Sequence, residues 1–311
     1  MKKTSRLPFL HLDMMMLPKN SRSAIFNDEL VLSDNLNNGL NGLEQQGPSL
    51  LNYPIKMTFN FIILCVKGRV DIQLNLKRYT LQDNDILCAL KGDIGEYYGI
   101  SNGDESTQVV LIAYADEYFP SNDVVGIQQL FRENSCFTLQ SCQKSEIMTI
   151  YQLMKSSIED KVYPNYEKGA LAGYMQALIY RVCTFNASWM ETRVEYASKS
   201  DRKQNIFNDF IKLVRANYTK ERGIRFYADQ LCLTPKYFSN IIFRTSGRYA
   251  GEWINDYVIL EAKALLKTQK YTVSQISDML NFANPSFFGQ YFKRNVGCSP
   301  AEYQKIDTGS K

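Results

Sequence analysis

The sequence predicts a two-domain α+β protein, with a small N-terminal β-barrel followed by helices and an all-α C-terminal domain. Three observations support this prediction. Between residues 48 and 120, short apolar stretches alternate with turns, as in a β-sandwich or small barrel. From about 121 to 198, apolar residues recur at the three- and four-residue spacing of helices. In the last hundred residues, one helix-turn-helix pattern occurs twice, and a long helical stretch joins the two copies.

Length and charge agree with two domains. A chain of 311 residues is long enough for two hydrophobic cores, and its 45% hydrophobic and 13% aromatic content argues against wholesale disorder. Residues 201–311 contain 17 Lys and Arg against 10 Asp and Glu, a net charge of +7, which leaves −3 for residues 1–200. This division favours a polyanionic partner for the C-terminal domain.

Cysteine usage and the N-terminus predict a cytoplasmic protein. The seven cysteines are odd in number and form no CxxC pair, which is typical of reduced, buried thiols. The apolar stretch from Leu7 to Leu17 is interrupted by Pro8, His11 and Asp13, so it is a poor signal peptide. No segment reaches the length of a membrane span.

The first 47 residues, rich in Asn, Ser, Gly and Leu, are expected to be an arm with short extended pieces. In the barrel region at 48–120, the continuous apolar stretch 59–66 predicts a buried strand, and the alternating stretch 70–76 predicts a half-buried one. Further strands are predicted at 79–81, 86–90, 94–100 and 109–114.

Residues 121–198 predict two long amphipathic helices. Ile147, Tyr151 and Met154 lie on one face of the first, and Leu171, Met175 and Leu178 lie on one face of the second. These helices either fold back on the barrel or form a dimer seam, and the sequence leaves both alternatives open. A short polar linker is expected at 199–203.

The C-terminal domain is predicted at 204–306, with its helix-turn-helix units near 227–239 and 273–288. Thr234-Pro235 and Asn284-Pro285 each begin a second helix, because Thr and Asn cap an N-terminus and Pro suits the first turn. Asn281 occupies the second turn, where Asn tolerates a left-handed conformation.

Helical spacing predicts which side chains of these second helices face the core. The inward-facing residues are expected to be Tyr237, Phe238, Ile241, Ile242, Phe288 and Phe292. The connecting helix is predicted from Trp253, Ile254, Tyr257, Val258, Leu265 and Leu266.

Residues 204–306 resemble the DNA-binding domain of the AraC/XylS family of bacterial transcription regulators. The residues that carry the resemblance are Ala228, Leu231, Tyr237, Phe238, Ser239, Gly247, Ile276, Phe282, Phe287, Phe288, Phe292, Lys293, Gly297, Ser299, Pro300 and Tyr303. The sequence departs from the family at Asn281, where glycine is usual, and at Phe243, where lysine is common before Arg244. The resemblance implies a sequence-specific regulator whose two recognition helices enter adjacent major grooves of promoter DNA.

By position, the resemblance also implies which side chains meet DNA. Base-edge candidates are Lys236, Ser239, Asn240, Ser286, Phe287 and Gln290. Phosphate candidates are Arg244, Lys293 and Arg294. Each has an alternative: the serines are solvated or cap a helix, Phe287 packs on its own domain, and the basic residues form a solvated face.

The strands at 48–120 resemble the cupin-like sensor barrel of such regulators, followed by a helical dimerisation region at 121–198. This resemblance implies a small-molecule effector or a protein partner, RNA polymerase as a further partner, and a homodimer. Candidate pocket residues are Phe59, Phe61, Tyr97 and Tyr98, with core packing as their alternative. A second hypothesis is an effector-independent regulator whose N-terminal domain is only a dimer scaffold.

A cupin enzyme with a DNA-binding appendage is the third hypothesis. Such enzymes hold a divalent metal with two or three histidines and a carboxylate. This chain has one histidine, His11, so no His-rich metal site is expected, and no cofactor or catalytic activity is expected either. Four carboxylates of the barrel region are expected to lie solvated in turns: Asp83, Asp85, Asp93 and Glu96.

Overall fold

A computed structural model describes residues 23–27, 29–33, 54–100, 107–120, 122–160, 164–196 and 202–305. His11, most of the predicted arm and residues 199–201 of the predicted linker lie outside these ranges. The described residues form two compact units, one of residues 57–195 with the strands at 23–33, and one of residues 202–305 together with residues 54–56.

The N-terminal unit contains two antiparallel sheets. Their strands are β1 (Ser23–Phe26), β2 (Leu30–Ser33), β4 (Asn60–Lys67), β5 (Val70–Leu74), β6 (Lys77–Leu81), β7 (Asp85–Ala89), β8 (Ile94–Ile100), β9 (Gln108–Tyr114) and β10 (Cys136–Thr138), whereas β3 (Ile55–Lys56) is grouped with the C-terminal unit. Within this unit the first sheet has the order β1-β2-β9-β4-β7-β10, and the second contains β8-β5-β6.

The six strands expected between residues 59 and 114 are confirmed as β4 to β9. β5 alternates as expected, with Val70, Ile72 and Leu74 buried and the residues between them half-buried. Two strands come from the segment predicted as an arm, and β2 pairs with β9. β10 lies in the region expected to be helical and pairs with β7.

The six-stranded sheet is the middle layer of the N-terminal unit. On one face, Phe61 and Ile63 of β4 pack with residues of the second sheet such as Ile72. On the other face, Ile62 and Leu64 pack against helices. Because β4 is covered on both faces, its sequence is continuously apolar.

Three helices follow the strands of this unit. They are α1 (Val124–Glu133), α2 (Ser141–Asp160) and α3 (Pro164–Tyr196), and a 3-10 turn at Asp116–Tyr118 precedes them. The predicted apolar faces of α2 and α3 pack on the six-stranded sheet through residues such as Tyr151, Met154 and Met175. Of the two alternatives left open by the sequence, these faces therefore take the fold-back arrangement.

The C-terminal unit is entirely helical. Its helices are α4 (Arg202–Asn217), α5 (Ile224–Gln230), α6 (Pro235–Ser246), α7 (Ala250–Lys267), α8 (Val273–Met279), α9 (Pro285–Val296) and α10 (Pro300–Lys305). The first helix-turn-helix is α5–α6, the second is α8–α9, and α7 joins them. The predicted two-domain α+β fold class is confirmed.

The backbone of the two turns also agrees with the sequence. Asn281 has a φ of 54°, the left-handed conformation that its amide side chain was expected to tolerate. Cys232 occupies the equivalent turn in the first unit with the same φ. Gly247 and Gly297 end α6 and α9 at φ values of 71° and 93°, where glycine carries no steric penalty.

Two expectations about reactive side chains need correction. Cys142 and Cys232 are exposed, so the expectation of uniformly buried thiols is wrong. Glu96 lies within β8 rather than in a turn. Asp83 and Asp93 do lie at turns, and Asp85 is the first residue of β7; the three carboxylates each accept a hydrogen bond from a backbone N–H, at 2.6, 3.0 and 2.9 Å respectively.

Candidate nucleic-acid interface

The two candidate recognition helices, α6 and α9, begin in the same way. Thr234 Oγ1 accepts a hydrogen bond from Tyr237 N–H at 3.3 Å, and Asn284 Oδ1 accepts one from Phe287 N–H at 2.9 Å. A proline follows each cap. Since the two caps are fifty positions apart in the sequence, residues with this offset occupy equivalent places on the two helices.

The buried residues of each helix show which of its faces packs on the core. In α6, Phe238, Ile241 and Ile242 are buried, and the Phe238 ring meets that of Phe210 edge-to-face at 5.1 Å. In α9, the buried residues are Phe288 and Phe292. The exposed side chains of both helices lie on the opposite face, away from the core.

Five of the six predicted base-contact residues are exposed and the sixth is half-buried. The exposed ones are Lys236, Asn240, Ser286, Phe287 and Gln290, and the half-buried one is Ser239. Phe287 is 59% exposed, so most of its ring is available to a partner. The outward face of each helix thus carries polar groups that can read base edges and one ring that can meet a thymine methyl.

Tyr237 was expected to face inward, and this expectation is wrong. Its side chain is 50% exposed, and it occupies the position on α6 that Phe287 occupies on α9. Both recognition helices therefore present an aromatic ring one turn after the cap. The sequence contained the signal for this, because aligning Thr234-Pro235 with Asn284-Pro285 places Tyr237 opposite the outward-facing Phe287.

The predicted phosphate contacts lie in the last turns of the helices. Arg244, Lys293 and Arg294 are all exposed, and within the described residues none forms an ion pair with a carboxylate. A cation near the C-terminus of a helix also interacts favourably with the helix dipole, and each such interaction stabilises the helix by roughly 0.3–1 kcal/mol. These residues can therefore stabilise their helices and still offer positive charge to a polyanion.

Phe243, which replaces the lysine common in the AraC/XylS family, has a partner within the domain. Its ring stacks on that of Tyr249 with centroids 4.7 Å apart, and the two side chains are 42% and 61% exposed. The ring pair connects the end of α6 with Tyr249, the N-cap residue of α7. A cation is absent at this position of α6, although the equivalent position of α9 is Lys293.

The predicted pocket residues of the N-terminal unit are only partly brought together. Phe61 is buried between the two sheets, and Phe59 packs beside the same cluster. Tyr98 is instead partly exposed; its hydroxyl donates to Gln73 Oε1 at 3.2 Å, and burial together with Glu96 raises its pKa. The side chain of Tyr97 lies outside what the structure describes.

The described residues were also compared with the arrangements that a metal site and a membrane-spanning helix require. No group of three or more His, Cys, Asp or Glu side chains is arranged to hold a metal ion in the described part of the chain. Among the helices described, none is both long and apolar enough to cross a membrane.

Comparison with known families gives a match for the C-terminal unit. Residues 227–306 match a family described as a helix-turn-helix domain. The TCP pilus virulence regulatory protein of Vibrio cholerae serotype O1 is 22% identical over 250 residues, which cover 75% of this chain and 82% of that protein. The arabinose operon regulatory protein of Salmonella typhimurium is 21% identical over 274 residues, covering 86% and 91%. The Msm operon regulatory protein of Streptococcus mutans is 23% identical over 248 residues, covering 79% and 84%.

Solved structures with local similarity include ToxT from Vibrio cholerae, at 14% identity and a TM-score of 0.37, with 84% of this chain and 94% of that chain covered. The C-terminal domain of AraT from Geobacillus stearothermophilus has 18% identity and a TM-score of 0.32, with 36% and 95% covered.

Proposed function

We propose that the chain is a DNA-binding transcription regulator with an AraC-type helix-turn-helix domain, in which α6 and α9 read two adjacent major grooves of promoter DNA. One observation carries this proposal. Two helices with equivalent caps and similar buried faces present exposed side chains at equivalent positions, fifty residues apart. An α-helix fits the major groove, which recurs about every 34 Å along one face of the duplex.

In this proposal, polar side chains near the start of each recognition helix select the bases. Asn240 and Gln290 each bind an adenine through two hydrogen bonds, and Lys236 donates to a guanine. Tyr237 and Phe287 lie against thymine methyl groups, and the exposure of both rings supports this role. Ser239 and Ser286 complete the two surfaces.

Selection of bound sequences from random double-stranded DNA tests the proposal. The full-length protein should enrich two short motifs about one helical turn apart. Asn240→Ala should relax base choice in one motif and Gln290→Ala in the other, each by about 1–3 kcal/mol. Gln129→Ala is the matched control, because Gln129 is an exposed glutamine on α1 of the N-terminal unit. If neither Asn240→Ala nor Gln290→Ala changes the selected sequence, α6 and α9 are not the recognition helices.

The phosphate role is tested separately by salt. We propose that Arg244, Lys293 and Arg294 each neutralise one phosphate, and their exposure in the last turns of the two helices supports this. Replacing any one with alanine should reduce the slope of log affinity against log salt concentration by about 0.9. A slope that stays unchanged in all three variants would leave these residues as a solvated face.

For the N-terminal unit, we propose a sensing role that alters DNA binding or contacts with RNA polymerase. The relatives are regulators that match this chain over most of their length, and this supports a regulatory rather than a catalytic N-terminal unit. The effector is a small molecule or a protein partner, the active form is a homodimer, and the site of action is the cytoplasmic nucleoid. Phe59, Phe61, Tyr97 and Tyr98 are proposed to border the effector site.

The effector-independent scaffold is the competing function for the N-terminal unit. A small-molecule fraction of cell extract should raise the unfolding temperature of the purified protein if a ligand binds the native state. No shift with any fraction would favour the scaffold.

A further inference from the structure

A second connection, besides α7, links the two helix-turn-helix units. Arg222 lies just before the first unit, and its guanidinium reaches the turn of the second. Nη1 donates to the Asn281 carbonyl at 3.3 Å, and Nη2 donates to the Leu280 carbonyl. The same guanidinium lies over the Phe282 ring, 3.7 Å from its centroid. Arg222 thus contacts three consecutive residues of the turn that precedes α9.

Asn281 completes this connection from the other side. Its Nδ2 donates to the Lys220 carbonyl at 3.1 Å while its backbone holds the left-handed conformation. We call these contacts between residues 220–222 and 280–282 the inter-unit strap. The glycine that is usual at this position in the AraC/XylS family has no side-chain amide. The hydrogen bond from Asn281 to the Lys220 carbonyl therefore depends on this departure from the family sequence.

The interactions of the Arg222 guanidinium in the inter-unit strap favour one arrangement of the two helix-turn-helix units. Leu280 is the residue at the C-terminal end of α8, where unpaired carbonyls carry partial negative charge that a guanidinium satisfies. Arg222 is half-buried, and burial lowers its pKa. Because removing a charged group from water is costly, the guanidinium is stable there only while its carbonyl and aromatic partners stay in place.

The strap acts next to a recognition helix. Phe282 lies two residues before Asn284, the cap of α9, and its ring packs on those of Phe288 and Tyr291 at 5.2 and 5.1 Å. One side of the second unit is therefore held by α7 and another by the strap. Two separate connections restrict rotation of one unit against the other, which a single helix does not.

We propose that Arg222 and Asn281 are positioning residues that set the spacing between half-sites that α6 and α9 accept on DNA. This inference rests on the proposed function, since it assumes that each helix reads its own half-site. A change of one base pair moves a half-site by about 3.4 Å and about 35° around the duplex. A domain held at two places should reject such a change, and a domain held only by α7 should accommodate it.

The test compares affinities of the full-length protein for three duplexes. One carries the selected spacing, and the others have one base pair added or removed between the half-sites. The wild type should bind the selected spacing at least about tenfold more tightly than the altered ones. Arg222→Lys keeps the charge but loses the two-pronged donor, and Asn281→Gly keeps the left-handed backbone but loses the amide. Both variants should reduce this ratio to about threefold or less, with base preference within each half-site unchanged.

Arg225→Lys is the matched control. Arg225 lies three residues further along the chain on α5, is exposed, and pairs only loosely with Asp229 at 3.7 Å. Its replacement should leave the spacing ratio at the wild-type value. If Arg222→Ala instead lowers the salt slope by about 0.9 and the spacing ratio stays unchanged, Arg222 is a phosphate contact and the proposal is overturned.

Hydrogen exchange without DNA separates failure of the strap from failure of the proposed function. Arg222→Lys should accelerate exchange of the amides at 280–283, and Asn281→Gly should accelerate exchange at 220–223, while circular dichroism confirms that both variants are folded. Unchanged exchange in both variants would overturn the strap. Failure of the wild type to select any two-part sequence would instead overturn the proposed function.

Discussion

The neighbouring residues Tyr237 and Phe238 give a sharp test of how the first recognition helix is oriented. Phe238 is fully buried, and its ring packs edge-to-face on Phe210. Tyr237 is 50% exposed. Alanine at 238 should therefore destabilise the domain, whereas alanine at 237 should leave the fold intact and weaken DNA binding.

The structure sets both magnitudes. Replacing a buried Phe with Ala costs about 3–5 kcal/mol, which is a large part of the roughly 5–15 kcal/mol that stabilises a typical domain. An aromatic side chain has roughly 150–250 Å² of surface, so about 100 Å² of Tyr237 is exposed. If DNA covers about half of that, at about 25 cal/mol per Å², Tyr237→Ala loses about 1.3 kcal/mol, or roughly tenfold in affinity.

Two measurements check this pair. Thermal unfolding followed by circular dichroism should show a lower transition for Phe238→Ala and a near-wild-type one for Tyr237→Ala. Equilibrium binding to the selected duplex should show the roughly tenfold loss of affinity for Tyr237→Ala. Base preference should change only in the half-site that α6 reads. A Phe238→Ala protein of wild-type stability, together with a destabilised Tyr237→Ala protein, would refute this orientation of α6.

Substitutions at three other positions address the C-terminal end of the domain. Asn284→Ala removes the side-chain acceptor for Phe287 N–H, 2.9 Å away, and should cost about 1 kcal/mol in a denaturant titration; Asn284→Ser should restore most of that loss. Gly297→Ala should also cost about 1 kcal/mol, since Gly297 has a φ of 93° and no atom lies within 4 Å to clash with a new methyl, so a zero cost would contradict the left-handed end of α9. The hydrogen bond from Ser299 N–H lowers the pKa of the Glu302 carboxyl in the folded protein. The stability that this hydrogen bond contributes is therefore present above the pKa of Glu302 in the unfolded chain, and it is lost as the pH falls through the pKa of Glu302 in the folded protein. Glu302→Gln should weaken the acid dependence of the thermal transition, and an unchanged pH profile would contradict this sign.

Much of the local structure followed from the sequence because it depends on neighbouring residues. Thr234 and Asn284 cap helices through their own side chains, and Asn281 adopts the left-handed conformation that its amide tolerates. The strands between 59 and 114 follow from apolar periodicity, which requires only that each face is buried or exposed. Such features were predictable from a few adjacent positions.

The features that the sequence missed depend on distant partners. β10 is three residues long and is stabilised by pairing with β7, which lies about fifty residues earlier. Tyr237 was misassigned because α6 needs only Phe238, Ile241 and Ile242 to fill its side of the core. The role of Arg222 could not be predicted from the sequence because its partners are about sixty positions away. The proposed DNA contacts remain predictions, since the exposure of a side chain does not by itself establish what it binds.

The way α7 is buried limits how this domain can be divided. Trp253 and Tyr257, near its beginning, pack on Phe207 of α4 and on Tyr218, the residue that follows α4. Leu265 and Leu266, near its end, belong to the apolar cluster that contains α8 and α9. A chain boundary placed within 250–267 would leave two fragments, each lacking part of its core. The repeated units are thus not separable modules, and a gene fragment encoding only one of them should yield an unfolded polypeptide that proteases degrade.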